Sequence, residues 1–235
     1  VDYKATDSLT LTAGLRYTRE EKRIERQLAF QALPAMPGFA TLIRPGTTAD
    51  ETFTDTTPVL IVAYKFTDSV NAYAKYAEGF KSGGFNGEVA NNVTHYQDEG
   101  LFSAETVDSY EIGFKGDMGD ALTFEAAVFQ QDYSDPQARI FVAFPLPGGG
   151  SLTSNSLANL DAATVQGAEV SALWRPLDGL EIGGSVTALD TEIEQAADAS
   201  GGANAATFNG KPLPFASDLS ATLHARQAWT LGGDM

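Results

Sequence analysis

Histidine is the first residue type to consider, because its side chain serves both as a metal ligand and as a general base. The chain has two, His95 and His224. His224 has no partner at ligand spacing, and neither histidine lies beside a nucleophile-elbow pattern that would complete a Ser-His-Asp triad. Cysteine is absent, which excludes disulfides and thiolate sites. We therefore predict no catalytic, cofactor or metal site and no enzyme activity. His95 and Tyr96, in a polar stretch, stay as candidate contacts for a ligand.

Two other segments resemble ligand sites in composition but not in pattern. Residues 79–84 (GFKSGG) lack the residue order of a phosphate-binding loop, and no helix pattern follows them. The acidic run at Asp190, Glu192, Glu194 and Asp198 lacks the D-x-D-x-D-G arrangement of a calcium loop. We interpret the first segment as a strand-to-loop transition and the second as a solvated loop.

Charge and hydropathy narrow the class of protein. The 235 residues include 31 acidic and 15 basic side chains, and the net charge is −16. A nucleic-acid partner is not expected, because phosphate binding needs a basic surface. No window offers the roughly 18 consecutive apolar residues of a membrane helix, and residues 1–4 (VDYK) lack the charged start and the apolar core of a signal peptide.

Apolar and polar residues alternate with a period of two along most readable segments, which indicates strands with two different faces. Helical spacing of three or four is absent from them. The clearest segments are Leu9 to Tyr17, Leu60 to Phe66, Tyr110 to Phe114, Leu122 to Val128, Leu180 to Ala188 and Leu219 to Ala225.

The connections between these segments are alternately short and long. Tight polar turns are predicted at residues 6–8, 67–69, 117–120, 177–179 and 231–234. Long polar or Gly/Pro-rich links are predicted at residues 20–57, 81–104, 145–157 and 191–217. Outer-membrane β-barrels have this asymmetry, with short periplasmic turns and long extracellular loops. We predict an all-β, antiparallel, up-and-down transmembrane barrel, here about eight strands of a partial barrel.

The alternation assigns side chains to the two faces of such a barrel. A Lys or Arg facing lipid at the midplane costs roughly 2 to 4 kcal/mol, so charged residues within the strands should point inward. Aromatic residues near the turns are expected to form an interfacial girdle, although the core of a soluble sandwich would also use them. The inward-facing set is Arg16, Lys75, Glu111, Lys115, Glu125 and Glu169, and the girdle set is Tyr64, Phe66, Trp174 and Trp229.

Five motifs, in order from about Leu9 to Leu223, resemble the barrel of TonB-dependent receptors. Residues 73–86 (YAKYAEGFKSGGFN) are similar to the family's Y-x-x-Y-x-x-G-F-K-x-G-G-F-N. Residues 11–17 (LTAGLRY) resemble its G-x-R-Y strand, and residues 105–115 (ETVDSYEIGFK) its E-x-x-x-x-Y-E-x-G-x-K strand. Phe129 with residues 132–135 (DYSD), and then residues 165–170 (VQGAEV), complete the series.

The resemblance implies a 22-stranded barrel filled by an N-terminal plug, which imports a scarce ligand with energy relayed by TonB. Residues 1–235 are then expected to be part of a single barrel domain, without the plug and the TonB box. The expected partners are the TonB complex through that plug, outer-membrane lipid, and a small molecule such as a ferric siderophore. The inward-facing charges would form a cross-strand ladder, contact the plug, or do both.

The long loops are where the resemblance implies ligand contact. Arg19, Lys22, Arg23 and Arg26 form a basic cluster, which could attract an anionic ferric siderophore, lipopolysaccharide phosphates or acidic loops. The loop candidates are Arg19, Arg23, Lys81, His95 and Tyr96. Two alternatives stay open: a small self-contained outer-membrane barrel acting as an adhesin or structural protein, and a soluble all-β binding module.

Overall fold

The computed structural model describes residues 1–29, 43–86, 101–145, 151–195 and 208–229. Its main element is one antiparallel sheet of nine strands, in which each strand pairs with its neighbours along the chain. The strands are β1 (Asp2–Lys4), β2 (Leu9–Ala29), β3 (Ile43–Thr67), β4 (Val70–Lys81), β7 (Glu105–Asp117), β8 (Leu122–Ser134), β11 (Ala162–Leu177), β12 (Leu180–Gln195) and β13 (Leu219–Gln227). The predicted all-β, up-and-down class is confirmed.

Two small paired units lie between strands of the main sheet. β5 (Gly84–Phe85) pairs with β6 (Leu101–Phe102), and β9 (Gln137–Pro145) pairs with β10 (Ser151–Asn159). Both units follow strands that run away from the tight turns, so they extend the sheet at its loop end.

Tight turns join β1 to β2, β3 to β4, β7 to β8 and β11 to β12, as the sequence predicts. Gly119 and Gly179 adopt φ values of 63° and 75° in two of these turns, a conformation that glycine adopts without steric cost. The fifth predicted turn, at residues 231–234, lies outside the described residues.

The prediction of a polar link over residues 20–57 is wrong for much of its length. β2 continues to Ala29, and β3 begins at Ile43, with pairs such as Glu20 to Phe53 in register. Beyond the apolar part of the strands both faces meet polar surroundings, so alternation disappears from the sequence while backbone pairing continues. For the same reason β10 (Ser151–Asn159) begins inside the stretch 145–157, and β12 continues to Gln195 inside the stretch 191–217, although both stretches are interpreted as links.

The apolar part of the strands has the length of a bilayer. Leu9 to Tyr17 on β2 covers eight steps of about 3.3 Å, or roughly 26 Å, close to the apolar band of outer-membrane barrels at about 25 Å. In the described residues, no helix is long and apolar enough to cross a membrane.

Candidate functional site

One face of the sheet is apolar from β2 to β13, and this outward face, as we name it, is exposed. Its side chains include Leu15, 74% exposed, and Ile112, 63% exposed. The strand registers place these residues side by side in rows. One row reads Ala74, Ile112, Val128, Ala168, Ala188 and Leu219, and the next reads Ala72, Phe114, Ala126, Val170, Val186 and Ala221.

Aromatic rings lie at the turn side and at the loop side of this apolar surface. Toward the turns, Tyr64, Phe66, Phe114 and Phe124 form a chain of ring contacts with centroid distances of 5.0, 6.1 and 5.7 Å. Toward the loops, Tyr76 and Tyr110 lie 5.3 Å apart. An apolar band edged by aromatic side chains is the exterior that a β-barrel presents to lipid.

The opposite face, which we name the polar face, carries all six of the predicted inward-facing residues. The register pairs Lys75 with Glu111, Lys115 with Glu125, Glu169 with Thr187 and Arg16 with Thr57, at different levels of the sheet. Each of the six sits one position away from an outward apolar residue. No charged residue on these strands interrupts the apolar rows.

Four of the six form two ion pairs. Lys75 Nζ lies 3.9 Å from a Glu111 carboxylate oxygen, and Lys115 Nζ lies 3.5 Å from Glu125. Tyr73 donates its hydroxyl to Glu111, and Lys115 Nζ lies 5.6 Å from the Tyr73 ring centroid. Arg16 and Glu169 have no ion-pair partner in the part of the chain that is described.

A depression of about 370 Å³ opens on the polar face between β4 and β12. Ala126, Ala127 and Val170 contribute to its lining, and the polar part has three carboxylates against one ammonium: Tyr73, Glu111, Lys115, Glu125, Glu169, Ser171, Ser185 and Thr187. This arrangement suits hydrogen-bonded contact with another polar surface. In the described residues, no group of three or more His, Cys, Asp or Glu side chains is arranged to hold a metal ion.

Rings on the sheet lie over glycines of the neighbouring strand. A Cβ built on Gly113 would lie 2.3 Å from the Tyr73 ring, and one on Gly183 would lie 2.4 Å from the His224 ring. Each pair is directly opposite in the register. His224, considered above as a ligand, therefore packs against a glycine on the polar face, an arrangement that protects an otherwise bare strand backbone.

The loop-contact candidates occupy different places. Arg19 and Arg23 belong to β2 rather than to a loop, on the outward side above Tyr17, and Arg19 pairs with Glu21. Lys81 ends β4 and lies 3.3 Å from Glu105. His95 and Tyr96 lie outside the described residues, and so does the side chain of Arg26.

Lys22, on the other side of β2, contacts the end of the Gly-rich segment at residues 79–84. Its Nζ donates to the Gly83 carbonyl at 2.7 Å and lies 3.6 Å from Glu20. Ser82 donates to Glu20 at 2.7 Å, and this hydrogen bond lowers the pKa of Glu20. A Cβ at Gly83 would meet the Phe102 carbonyl oxygen at 2.3 Å, so the glycines of residues 79–84 allow close backbone packing.

A cluster of amide side chains at the loop end was missed by the sequence analysis. Asn86 both donates to the Leu157 carbonyl at 2.7 Å and accepts from the Leu157 N–H at 2.8 Å. Gln137 donates to the Ser82 and Ser103 carbonyls, each at 3.0 Å. These bonds fasten β10 and β9 to the segment after β4. The two residues of each bond are 34 to 71 positions apart in the sequence, so no local sequence pattern predicts these bonds.

Comparison with known proteins decides the family. A family model described as "TonB dependent receptor-like, beta-barrel" matches residues 1–234. The chain belongs to the TonB-dependent receptor family. Its sheet is thus part of a TonB-dependent receptor barrel, and the predicted resemblance is confirmed.

Solved structures share the fold of this TonB-dependent receptor chain. The ferric yersiniabactin uptake receptor FyuA of Yersinia pestis matches with a TM-score of 0.69 and 19% identity, over 95% of this chain and 29% of that one. The siderophore receptor PiuA of Acinetobacter baumannii gives 0.66 and 21%, over 95% and 29%. The copper transporter OprC gives 0.68 and 16%, over 97% and 32%. This chain thus spans about a third of the length of these relatives.

Proposed function

We propose that this chain is part of the barrel wall of an outer-membrane receptor that takes up a scarce ligand, a ferric siderophore or similar compound, with energy from the TonB system. The observation that carries the proposal is the two-faced sheet, apolar and exposed on one side and charged on the other, in a TonB-dependent receptor chain. FyuA is named for the uptake of ferric yersiniabactin, PiuA for a siderophore and OprC for copper, which supports metal-related uptake as the ligand class.

The polar face is proposed to point into the barrel, with residues 1–235 forming part of a single barrel domain. The pairs Lys75–Glu111 and Lys115–Glu125 then act as a cross-strand ladder. Arg16 and Glu169, without an ion-pair partner among the described residues, are the two that remain for contact with the plug domain. Through that plug the receptor would engage the TonB complex.

The loop end is proposed as the side from which the ligand enters. Lys81 lies there, and His95 and Tyr96 fall between β5 and β6 in the sequence. The outward position of Arg19 and Arg23 favours contact with the surrounding lipid headgroups over contact with a ligand in the barrel. We propose no enzymatic reaction, nucleic-acid partner or cofactor for this protein.

A small self-contained barrel is the less favoured reading. Within the described residues β1 pairs only with β2, and β13 pairs only with β12. Both edges of the sheet are therefore open, whereas a barrel must close on itself in lipid.

The test is uptake of radioiron-loaded siderophores by cells that carry the full-length protein. Uptake of at least one siderophore is expected to require the protein and to stop in cells without TonB. Uptake that continues without TonB would contradict energy coupling. If cells that lack the protein lose adhesion while their iron uptake is unchanged, the adhesin alternative would be favoured.

A further inference from the structure

The segment that follows β4 crosses the polar face instead of continuing within the main sheet. Its first residue, Ser82, donates its hydroxyl to Glu20 on β2, and its carbonyl accepts from the side chain of Gln137. Gln137 follows β8, which is four strand spacings from β2, roughly 19 Å along the sheet at about 4.8 Å per spacing. Residues 82–86 therefore connect distant parts of the wall on its polar face, and we name them the strap.

The two ends of the strap are held by bonds of different kinds. At its far end, the Asn86 side chain makes two hydrogen bonds to the Leu157 backbone, at 2.7 and 2.8 Å. At its near end, the Lys22 ammonium donates to the Gly83 carbonyl at 2.7 Å. The near end depends on a charged group, so a ligand of opposite charge can compete for it, whereas the bonds between amide and backbone at the far end involve no charge.

The near end of the strap and Lys22 meet over one aromatic ring. A Cβ built on Gly83 would collide with the Phe53 ring and with the Phe102 carbonyl oxygen. Phe53 lies on β3, directly opposite Glu20 in the register, and the Lys22 Nζ lies 5.9 Å from the centroid of its ring. Because the strap is packed this closely, the position of the Lys22 ammonium determines how the strap lies against β2 and β3.

Lys22 is placed to bind an anion. Among the described side chains of the basic cluster on β2, it lies on the polar face, whereas Arg19 and Arg23 face outward. An ammonium has three N–H donors, and two oxygen atoms lie near this one, the Gly83 carbonyl oxygen at 2.7 Å and a Glu20 carboxylate oxygen at 3.6 Å. The Lys22 side chain is 38% exposed, so a ligand at the loop end can reach it. An oxyanion binds an ammonium more strongly than a neutral carbonyl does, because both partners are charged.

We propose that Lys22 binds an anionic iron chelate at the loop end of the polar face, and that this binding loosens the strap. The oxyanion of the chelate replaces the Gly83 carbonyl as the partner of Lys22, while Asn86 keeps the far end of the strap in place. The inference rests on the proposed function, because it needs a receptor that admits its ligand at this end of the barrel. It adds the charge of the ligand and a local movement that accompanies binding.

The test uses the full-length protein in nanodiscs and four iron chelates of different charge. Ferric citrate and ferric enterobactin are anionic, ferrichrome is neutral and ferrioxamine B is cationic. Titration calorimetry measures affinity, and mass spectrometry measures amide hydrogen exchange in residues 82–86. At least one anionic chelate is expected to bind and to accelerate exchange in the strap about fivefold, the effect of one lost hydrogen bond.

Lys22→Met removes the ammonium and should weaken binding of that anionic chelate about tenfold or more, the effect of one bond between charged groups. In this variant the strap should exchange faster even without ligand, and the chelate should cause no further increase. Lys22→Arg keeps the charge and should restore most of the affinity. A strap that only shapes the barrel mouth would instead change the affinity for neutral and anionic chelates alike.

Arg23→Met is the matched control, because it removes the same charge from the next residue on β2, on the outward face. It should leave chelate affinity and strap exchange unchanged. All variants should show the heat-modifiable gel migration of the wild type, which separates a lost contact from a failure to fold.

The remaining outcomes separate this inference from the proposed function. If an anionic chelate binds without accelerating exchange in the strap, or if Lys22→Met and Arg23→Met weaken its binding equally, the inference is wrong and siderophore uptake stands. Binding of the neutral or cationic chelates alone would also overturn it. If none of the four chelates binds and cells import none of them, the proposed function fails and the inference fails with it.

Discussion

At the scale of single residues, one step along a strand changes the surroundings of a side chain completely. Val170 lies on the outward face, 54% exposed, and its neighbour Ser171 lies on the polar face, opposite Glu125 in the register. The same substitution at two such neighbours should therefore change the free energy of unfolding by different amounts.

Val170→Arg is expected to lower the free energy of unfolding by about 2 to 4 kcal/mol, because the guanidinium would enter the apolar rows near their middle. The measurement is reversible denaturant unfolding of the full-length protein in phospholipid vesicles. Ser171→Arg is the control and should cost much less. Equal losses in the two variants would contradict the assignment of the faces.

Gly113 illustrates a residue whose role depends on its neighbour. The Tyr73 ring fills the space where a side chain at Gly113 would lie, and its hydroxyl bonds to Glu111. Gly113→Val is expected to cost about 1 to 3 kcal/mol of unfolding free energy through overpacking. In the double variant with Tyr73→Ala the two costs should not add, because the ring that clashes is gone. Strictly additive costs would refute the contact.

At the scale of elements, the sequence predicts the part of each strand that crosses the apolar band. There the alternation is strict because lipid faces one side and polar groups the other, and the tight turns mark the ends. The same alternation places all six charged residues, from Arg16 to Glu169, on one face.

Sequence reasoning fails where the strands leave that band. The outer parts of β2 and β3 carry charged and Thr residues on both faces, so they read as a link although Glu20 and Phe53 are paired. The Asn86–Leu157 contact joins residues 71 positions apart, and only the folded topology brings them together. A local sequence pattern indicates whether a side chain faces lipid or polar groups. Contacts such as Asn86–Leu157 depend instead on which strands become neighbours in the folded chain.

The amide cluster is expected to hold β10 against the segment after β4. Asn86→Ala removes both bonds to Leu157, and amide hydrogen exchange in residues 157–159 should accelerate about 5- to 25-fold, the effect of one or two hydrogen bonds at about 1 kcal/mol each. Asn71→Ala, an exposed position on β4, serves as the control. Unchanged exchange in Asn86→Ala would show that β9 and β10 are held by other contacts.

At the scale of the whole molecule, the open edges of the sheet determine whether the chain can insert into a membrane on its own. In the part of the chain that is described, β13 pairs only with β12, and in lipid each backbone group left unpaired on its other side costs several kcal/mol. The 235-residue chain by itself is therefore expected not to insert into detergent micelles or vesicles as a native wall. The full-length protein, in which further strands can close the barrel, is the control.

Gel migration with and without heating measures this directly. The isolated chain should migrate identically in both conditions, while the full-length protein should shift. Heat-modifiable migration of the isolated chain, together with saturable ligand binding, would contradict the expectation and favour a small self-contained barrel.

The central claim is that one face of the sheet meets lipid and the other meets the barrel interior. The 235 residues contain no cysteine, so in a full-length protein whose remaining part is also free of cysteine, single cysteines at positions 111 to 115 can be spin-labelled one at a time. Electron paramagnetic resonance then compares collisions with oxygen, which partitions into lipid, and with a water-soluble nickel chelate. We predict high oxygen access and low nickel access at 112 and 114, and lower oxygen access at 111, 113 and 115. An absent alternation, or one with the opposite phase, would contradict the account.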